Sequence, residues 1–147
     1  IEKDYALIDA WTQWAIRRPE YYDVVVTTNL FGDIITEMTA PIQGGLGLAP
    51  SAEVGDKYGM FRPVHGSAPK YRGKYVANPI ATILSAKMLM DWLADKHNDK
   101  SAKEAANRIE KAVDLTLKEG KVLPQDLGGS SKTNEVGDEI AKKIRIL

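Results

Sequence analysis

Apolar residues recur along the chain with a period that changes several times. The apolar positions Tyr5 to Ile8 predict a short strand, and "DAWTQWAIRRP" then takes helical spacing, with Trp11, Trp14 and Ala15 on one face and Pro19 ending it. "YYDVVVTTN" is a continuous β-branched run, the pattern of a strand covered on both faces. Asn29 to Gly32 turns this run into a helix, in which Ile34 or Ile35, Met38 and Ile42 form the apolar stripe and Asp33 and Glu37 fall elsewhere on the surface. "GGLGLAPSAEVGD" is too rich in glycine for an element interior and predicts a loop or hinge, with a domain boundary near it.

The second half reads more clearly. "YGMFRPV" predicts a strand, and "HGSAPKYRGKYVANP" a long loop, of a length that tends to be functional or disordered. "PIATILSAKMLMDWLADK" is apolar nearly all round, as a core helix is. Ser101 and Glu104 make a capping-box pattern before "AANRIEKAVDLTLKEG", where Ala105, Ile109, Ala112, Val113 and Leu117 keep helical spacing until Gly120. A turn-rich "PQDLGGSSKT" leads to a last helix carrying Val136, Ile140 and Ile144. Strands mixed with helices place the chain in the α/β class.

Composition narrows the function classes. Twenty basic and twenty acidic residues cancel, which gives no electrostatic case for a nucleic-acid partner. With no cysteine the chain has no disulfide framework, thiolate metal site or thiol nucleophile. No apolar run reaches the ~18 to 20 residues needed to span a bilayer, and "IEKDYALIDA" lacks the pattern of a signal peptide. The expectation is a cytoplasmic protein with no membrane partner. A first residue Ile1 rather than Met, at the edge of a strand pattern, leads us to expect a piece of a longer chain.

The candidate chemistry begins with "NLFGDIITE". Asp33 and Glu37 lie one helical turn apart, where like charges repel by a few tenths of a kcal/mol in isolation. Two acids so spaced are more often a solvated face than a site. A strand-to-helix turn is nonetheless where α/β proteins commonly place sites, and oxygen ligands suit Mg²⁺ or Mn²⁺, with a third carboxylate then required. His65 is equally readable as a hydrogen-bonded loop residue or a ligand contact, and His97 as a solvated surface residue. Lys70, Arg72 and Lys74 are either solvation or, through Lys70 and Tyr71, a clasp for a phosphate and its sugar. The G-x-G-x-x-G fingerprint is absent, because "GGLGLAP" breaks it at Pro50, which disfavours a Rossmann-type site.

Five segments, "NLFGD", "GGLGLAPSAEVGD", "VHGSAP", "ANPIATILSA" and "DLGGSSKTNEVGDEI", occur in the order and spacing of one family. Through nearly all of its 147 residues the chain resembles the C-terminal part of the isocitrate/isopropylmalate dehydrogenases, which are β-decarboxylating oxidoreductases. The resemblance implies that family's three-layer α/β fold with a mixed sheet. Residues 1–43 would be the end of the small, dimerisation domain, and residues 44–147 the C-terminal part of the large, cofactor-binding one. It also implies oxidation of a 2-hydroxy-3-carboxy acid by NAD or NADP with a divalent cation, followed by loss of CO₂ through a stabilised enolate.

By the same resemblance Asp33 matches a metal ligand and Glu37 a second, usually Asp, while Asp9 in "IDAWTQW" supplies the third carboxylate from the partner subunit of a homodimer. The cation is Mg²⁺ or Mn²⁺, and it would offset the repulsion within the acid pair. His65, Gly66, Ser67, Ala68 and Pro69 would line the adenosine side of the cofactor, with Asn78 at the adenine. Lys70 and Tyr71 fall where NADP-using members carry the same pair and NAD-using members generally an acid, and Arg18 falls where a neighbouring subunit can reach the 2′-phosphate. NADP is therefore expected over NAD, although Gln125 stands where some NADP enzymes have further phosphate contacts.

The substrate is a small molecule, isocitrate slightly ahead of 3-isopropylmalate, because "PVHGSAP" looks like isopropylmalate or tartrate/malate dehydrogenases and Lys70–Tyr71 like isocitrate dehydrogenases. The family's catalytic lysine and tyrosine would precede Ile1, so no catalytic residue is assigned in this chain. Glu37 is the feature that would suit a non-catalytic, nucleotide-binding or regulatory subunit instead.

Overall fold

A computed structural model describes residues 1–147, which form two compact units, Ile1–Gly44 and Gly45–Leu147. The first contains helix α1 (Ile8–Arg17), a 3₁₀ turn (Pro19–Tyr21), helix α2 (Asn29–Thr39) and a second 3₁₀ turn (Ala40–Gln43). Its buried residues are few, namely Ala15 on α1, Ile35 on α2 and Ala40. Ile35 therefore settles which isoleucine faces inward, since Ile34 is exposed. Trp11 is half-buried and Trp14 is exposed, so α1 turns Ala15 inward more completely than either tryptophan.

Two strand expectations fail in this unit, for one physical reason. Residues Tyr5 to Leu7 lie outside any regular element and Ile8 already begins α1, while "YYDVVVTTN" runs into α2 without joining a sheet. Val24 and Val26 are 83% and 92% exposed. A β-branched run becomes a strand when neighbours take up its backbone donors and acceptors. The only strands the chain forms, β1 (Pro50–Val54) and β2 (Gly59–Pro63), pair with each other. Asn29 to Gly32 is likewise the first turn of α2 rather than a turn before it.

The second unit is built on helices α3 (Ile80–His97), α4 (Lys100–Glu119) and α5 (Thr133–Ile146), with an antiparallel hairpin of β1 (Pro50–Val54) and β2 (Gly59–Pro63). β1 corrects the expectation of a loop through "GGLGLAPSAEVGD". The glycine-rich start is a 3₁₀ turn, but Pro50–Val54 pairs with β2 from Pro50↔Pro63 to Val54↔Gly59. The hairpin is closed by the Gly55 N–H donating to the Tyr58 carbonyl at 2.8 Å. Phe61 on β2 meets Trp92 on α3 with ring centroids 5.9 Å apart, which seats the hairpin on that helix. This two-stranded ladder is the whole sheet of the chain, and beside the helices it makes an α/β arrangement consistent with a portion of the fold the resemblance implied.

Ile80, Ala112, Val113, Val136 and Ile140 form the core, so each of the three helices contributes. Small buried residues, Ala81, Ser85 and Ala94 on α3 and Ala106, Ala112 and Thr116 on α4, let the helices pack closely. The two buried hydroxyls are satisfied within their own helices: Ser85 donates to the Ala81 carbonyl and Thr116 to the Ala112 carbonyl, both at 2.8 Å. The cap of α4 is Asp99 rather than Ser101. Its carboxylate accepts the N–H groups of Ser101 at 2.8 Å and Ala102 at 3.3 Å, reaching the orphan donors first. Gly120 ends α4 in the left-handed conformation, φ 65°, where a side chain would be strained.

Ion pairs tie α3 to α4. Lys87 reaches Asp91 at 3.0 Å and Glu110 at 3.2 Å, and Lys103 reaches Asp91 at 2.7 Å. Burial would raise the Asp91 carboxyl, but hydrogen bonds from Lys103 and Lys87 outweigh it and hold the group below its ordinary value of 3.8. A carboxylate depressed in the folded state contributes stability above its unfolded pKa and loses it as pH falls through the folded one. Wild type is therefore expected to be more stable than Asp91→Asn at pH 7, with the difference in urea midpoint shrinking below about pH 3.8. An acid-independent difference would show that the pair contributes packing rather than charge.

Candidate functional site

The first unit carries the acids. Asp33 and Glu37 stand one turn apart on α2, both exposed. None of the chain's ion pairs or side-chain hydrogen bonds uses either. They are thus two hard oxygen donors facing solvent with no internal cation, a fit for two positions of an oxygen-ligated divalent ion. Asp9 lies in the first turn of α1, exposed, with Oδ1 accepting the Ala10 N–H at 2.8 Å. No three histidines or acids of the chain gather into a group able to hold a metal. A complete cage would need a ligand from outside a single chain.

Arg18, just past α1, places its guanidinium 5.4 Å from the centroid of Tyr21. It lines an open cleft of about 370 Å³ with Trp14, Tyr21, Tyr22 and the segment Asp4–Leu7. None of the three candidate ligand acids lines that cleft.

The second unit carries the loop that follows β2. Within it, Ala68 adopts φ 41°, ψ 62°, a left-handed conformation that costs a non-glycine residue on the order of 1 kcal/mol and is disfavoured further before Pro69. The turn it opens is closed by the Tyr71 N–H donating to the Ala68 carbonyl at 2.9 Å and the Arg72 N–H to the Pro69 carbonyl at 3.1 Å. Strain of this kind collects at ligand-binding loops. A Cβ at Gly66 would meet nothing within 4 Å, and Gly66 to Lys70 are exposed, so this backbone is open to an approaching ligand. His65 is half-buried, with Nδ1 2.9 Å from the Gly66 carbonyl, a local contact that leaves Nε2 available. Lys70 Nζ sits 4.9 Å from the centroid of the Tyr71 ring and takes part in no ion pair, so a cation and an aromatic ring are presented together.

Asn78 ends the loop and is buried. Its Oδ1 accepts the Ile80 N–H at 2.9 Å at the start of α3, and its Nδ2 donates to Asp126 Oδ2 at 3.0 Å. One amide N–H is left for any further partner. Gly47 makes room for this pair, because a Cβ there would fall 2.8 Å from Asn78 Nδ2 and 2.9 Å from its Cβ and would strike the Asp126 carboxylate. The roles of Asp126 and Gly47 are not visible in the sequence. Each lies in a conspicuous motif, "DLGG" and "GGLGLAP", but their meeting spans distant segments.

A family model described as isocitrate/isopropylmalate dehydrogenase matches residues 1–140. The chain is 49% identical over 143 residues to the 3-isopropylmalate/3-methylmalate dehydrogenase of Methanocaldococcus jannaschii, covering 97% of this chain and 40% of that protein. It is 41% identical over 147 residues to the NADP isocitrate dehydrogenase of Thermus thermophilus, covering 98% of this chain and 28% of that one. The crystal structure of isocitrate dehydrogenase from Methylococcus capsulatus superposes with a TM-score of 0.87 at 36% identity, covering 99% of this chain and 41% of that one. The chain thus spans well under half the length of these relatives. No helix is long and apolar enough to cross a membrane. With a family match over nearly its whole length and a shared fold, the chain belongs to the isocitrate/isopropylmalate dehydrogenase family.

Proposed function

We propose that this chain is the C-terminal portion of an NADP-dependent β-decarboxylating dehydrogenase that acts as a homodimer on a 2-hydroxy-3-carboxy acid, isocitrate first and 3-isopropylmalate next. The observation that carries the reading is the acid pair Asp33 and Glu37, solvent-facing on one side of α2 and neutralised by no cation of the chain. With Asp9 of a second copy they would hold Mg²⁺ or Mn²⁺. When bound there, such an ion would supply Lewis-acid polarisation of the substrate hydroxyl and stabilisation of negative charge on its oxygen.

The chain's own loop would do the binding. Lys70 donates charge-assisted hydrogen bonds to the 2′-phosphate, Tyr71 packs beside it, the residues His65 to Pro69 follow the adenosine, and the remaining Asn78 N–H meets the adenine. Arg18 would reach the same phosphate from the other copy. The NADP isocitrate dehydrogenase among the relatives agrees with this preference. Proton transfer requires a positioned acid or base, which the portion of the subunit outside this chain would supply. The exposed valines Val24 to Val26 fit a strand that completes a sheet in that larger subunit. Glu37, a methylene longer than the aspartate the resemblance implies, is the feature favouring a second reading, a non-catalytic regulatory subunit.

The test is turnover. Full-length protein is expected to reduce NADP with isocitrate or 3-isopropylmalate, to stop when the divalent cation is chelated, and to recover on its return. The 147-residue chain alone is expected to show none. Activity in the isolated chain, or activity indifferent to chelator, refutes the proposal, and inactivity of the full-length dimer with both acids supports the regulatory reading.

A further inference from the structure

The loop from His65 to Ala77 has a second non-glycine residue in the left-handed region, Tyr75 at φ 55°. Ala68 and Tyr75 therefore bracket the segment that carries Lys70 and Tyr71. Left-handed backbone at a tyrosine is unfavourable and persists only where its surroundings determine it. Here Thr133, the first residue of α5, makes two bonds to the far side of the loop. Its N–H donates to the Tyr75 carbonyl at 2.9 Å, and its hydroxyl donates to the Ala77 carbonyl at 2.5 Å. The N–H of a first-turn residue has no partner in its own helix, so α5 satisfies an orphan donor with the loop rather than with water. The two accepted carbonyls lie two residues apart, which fixes the loop's position and its turn together. α5 itself is held firmly, with Val136 and Ile140 in the core and the Glu135 carboxylate accepting the Lys132 N–H at 2.7 Å.

We infer that Thr133 is a positioning residue for the nucleotide: it pins the Tyr75–Ala77 end of the loop to the helical core and so holds Lys70 and Tyr71 in place for the cofactor phosphate. This rests on the proposed reading of the loop as the NADP site. Ala77 is exposed, so water can take up its carbonyl when the Thr133 hydroxyl is removed, while the Thr133 N–H keeps its bond to the Tyr75 carbonyl. What is lost is the register of the loop, not the hydrogen-bonding capacity of buried groups.

The experiment compares Thr133→Val, which loses the hydroxyl, with Thr133→Ser, which keeps it, in the full-length protein. Amide hydrogen exchange over residues 66–76 and the Kd for NADP are measured for each. Thr133→Val is expected to exchange faster in that loop, with exchange in α3 and α4 unchanged, and to bind NADP about fivefold more weakly, the size of one ordinary hydrogen bond. Thr133→Ser is expected to restore both, and the KM for NADP is expected to rise more than kcat falls. Tyr75→Gly, which removes the strain the pin opposes, is expected to diminish the effect of Thr133→Val. Unchanged loop exchange in Thr133→Val, or no rescue by serine, overturns the pin. Faster exchange with unaltered NADP affinity leaves the pin in place and overturns the assignment of this loop to NADP.

Discussion

Replacing Asp33 by Asn in the full-length protein is expected to lower metal-dependent turnover by on the order of 10²–10³-fold or more while leaving the fold intact. The two halves of this expectation have separate grounds. Asp33 sits on the solvent side of α2 and engages no other side chain of the chain, so an isosteric amide removes no packing, hydrogen bond or ion pair. It even relieves the repulsion between Asp33 and Glu37, which favours the isolated helix by a few tenths of a kcal/mol. An amide is a much poorer ligand than a carboxylate for a hard divalent ion, and the charge that holds the ion in the site is lost. Unfolding midpoints and turnover at saturating Mg²⁺ or Mn²⁺ measure the two halves. A stable variant that retains wild-type turnover would remove Asp33 from the metal site. Glu37→Gln is expected to move in the same direction by less, since its side chain is a methylene longer than the aspartate the resemblance implies.

Lys70→Asp is expected to weaken NADP binding by about 100-fold and to improve NAD binding. Lys70 has no carboxylate partner, and its ammonium rests over Tyr71. Its removal frees no buried charge, and the folded state is expected to be nearly indifferent to the change. Charge-assisted hydrogen bonds are worth roughly 1.5–3 kcal/mol, so losing them and adding an acid beside a 2′-phosphate accounts for a shift of that size. A carboxylate at the same place instead accepts hydrogen bonds from ribose hydroxyls. Cofactor titration of both proteins reads the result directly. If NADP affinity stays the same and NAD gains nothing, Lys70 does not face the phosphate.

Features set by near neighbours along the chain are legible in its residues alone. The three helices of the second unit could be read from spacing and stop signals, because Gly120 ends α4 by its own conformational freedom and Val136 and Ile140 recur at helical period. β2 could be read in the same way. The family was legible too, since its motifs are runs of adjacent residues. The local reading went astray where two nearby groups compete, as at α4, where Asp99 rather than Ser101 captures the free N–H groups.

Features that need a distant partner emerge only once the chain has folded. Val24 to Val26 have every local reason to be a strand and are not, because a ladder requires a neighbour. Pro50–Val54 lies in a glycine-rich stretch yet becomes β1, because β2 supplies its partner. Asn78 and Asp126, 48 residues apart, meet over a glycine whose missing side chain leaves them room. Thr133 reaches back 56 residues to Ala77, a bond that no local pattern encodes. Periodicity and capping act within a turn or two of backbone, whereas hydrogen bonds between remote segments form only after the core has brought the helices together.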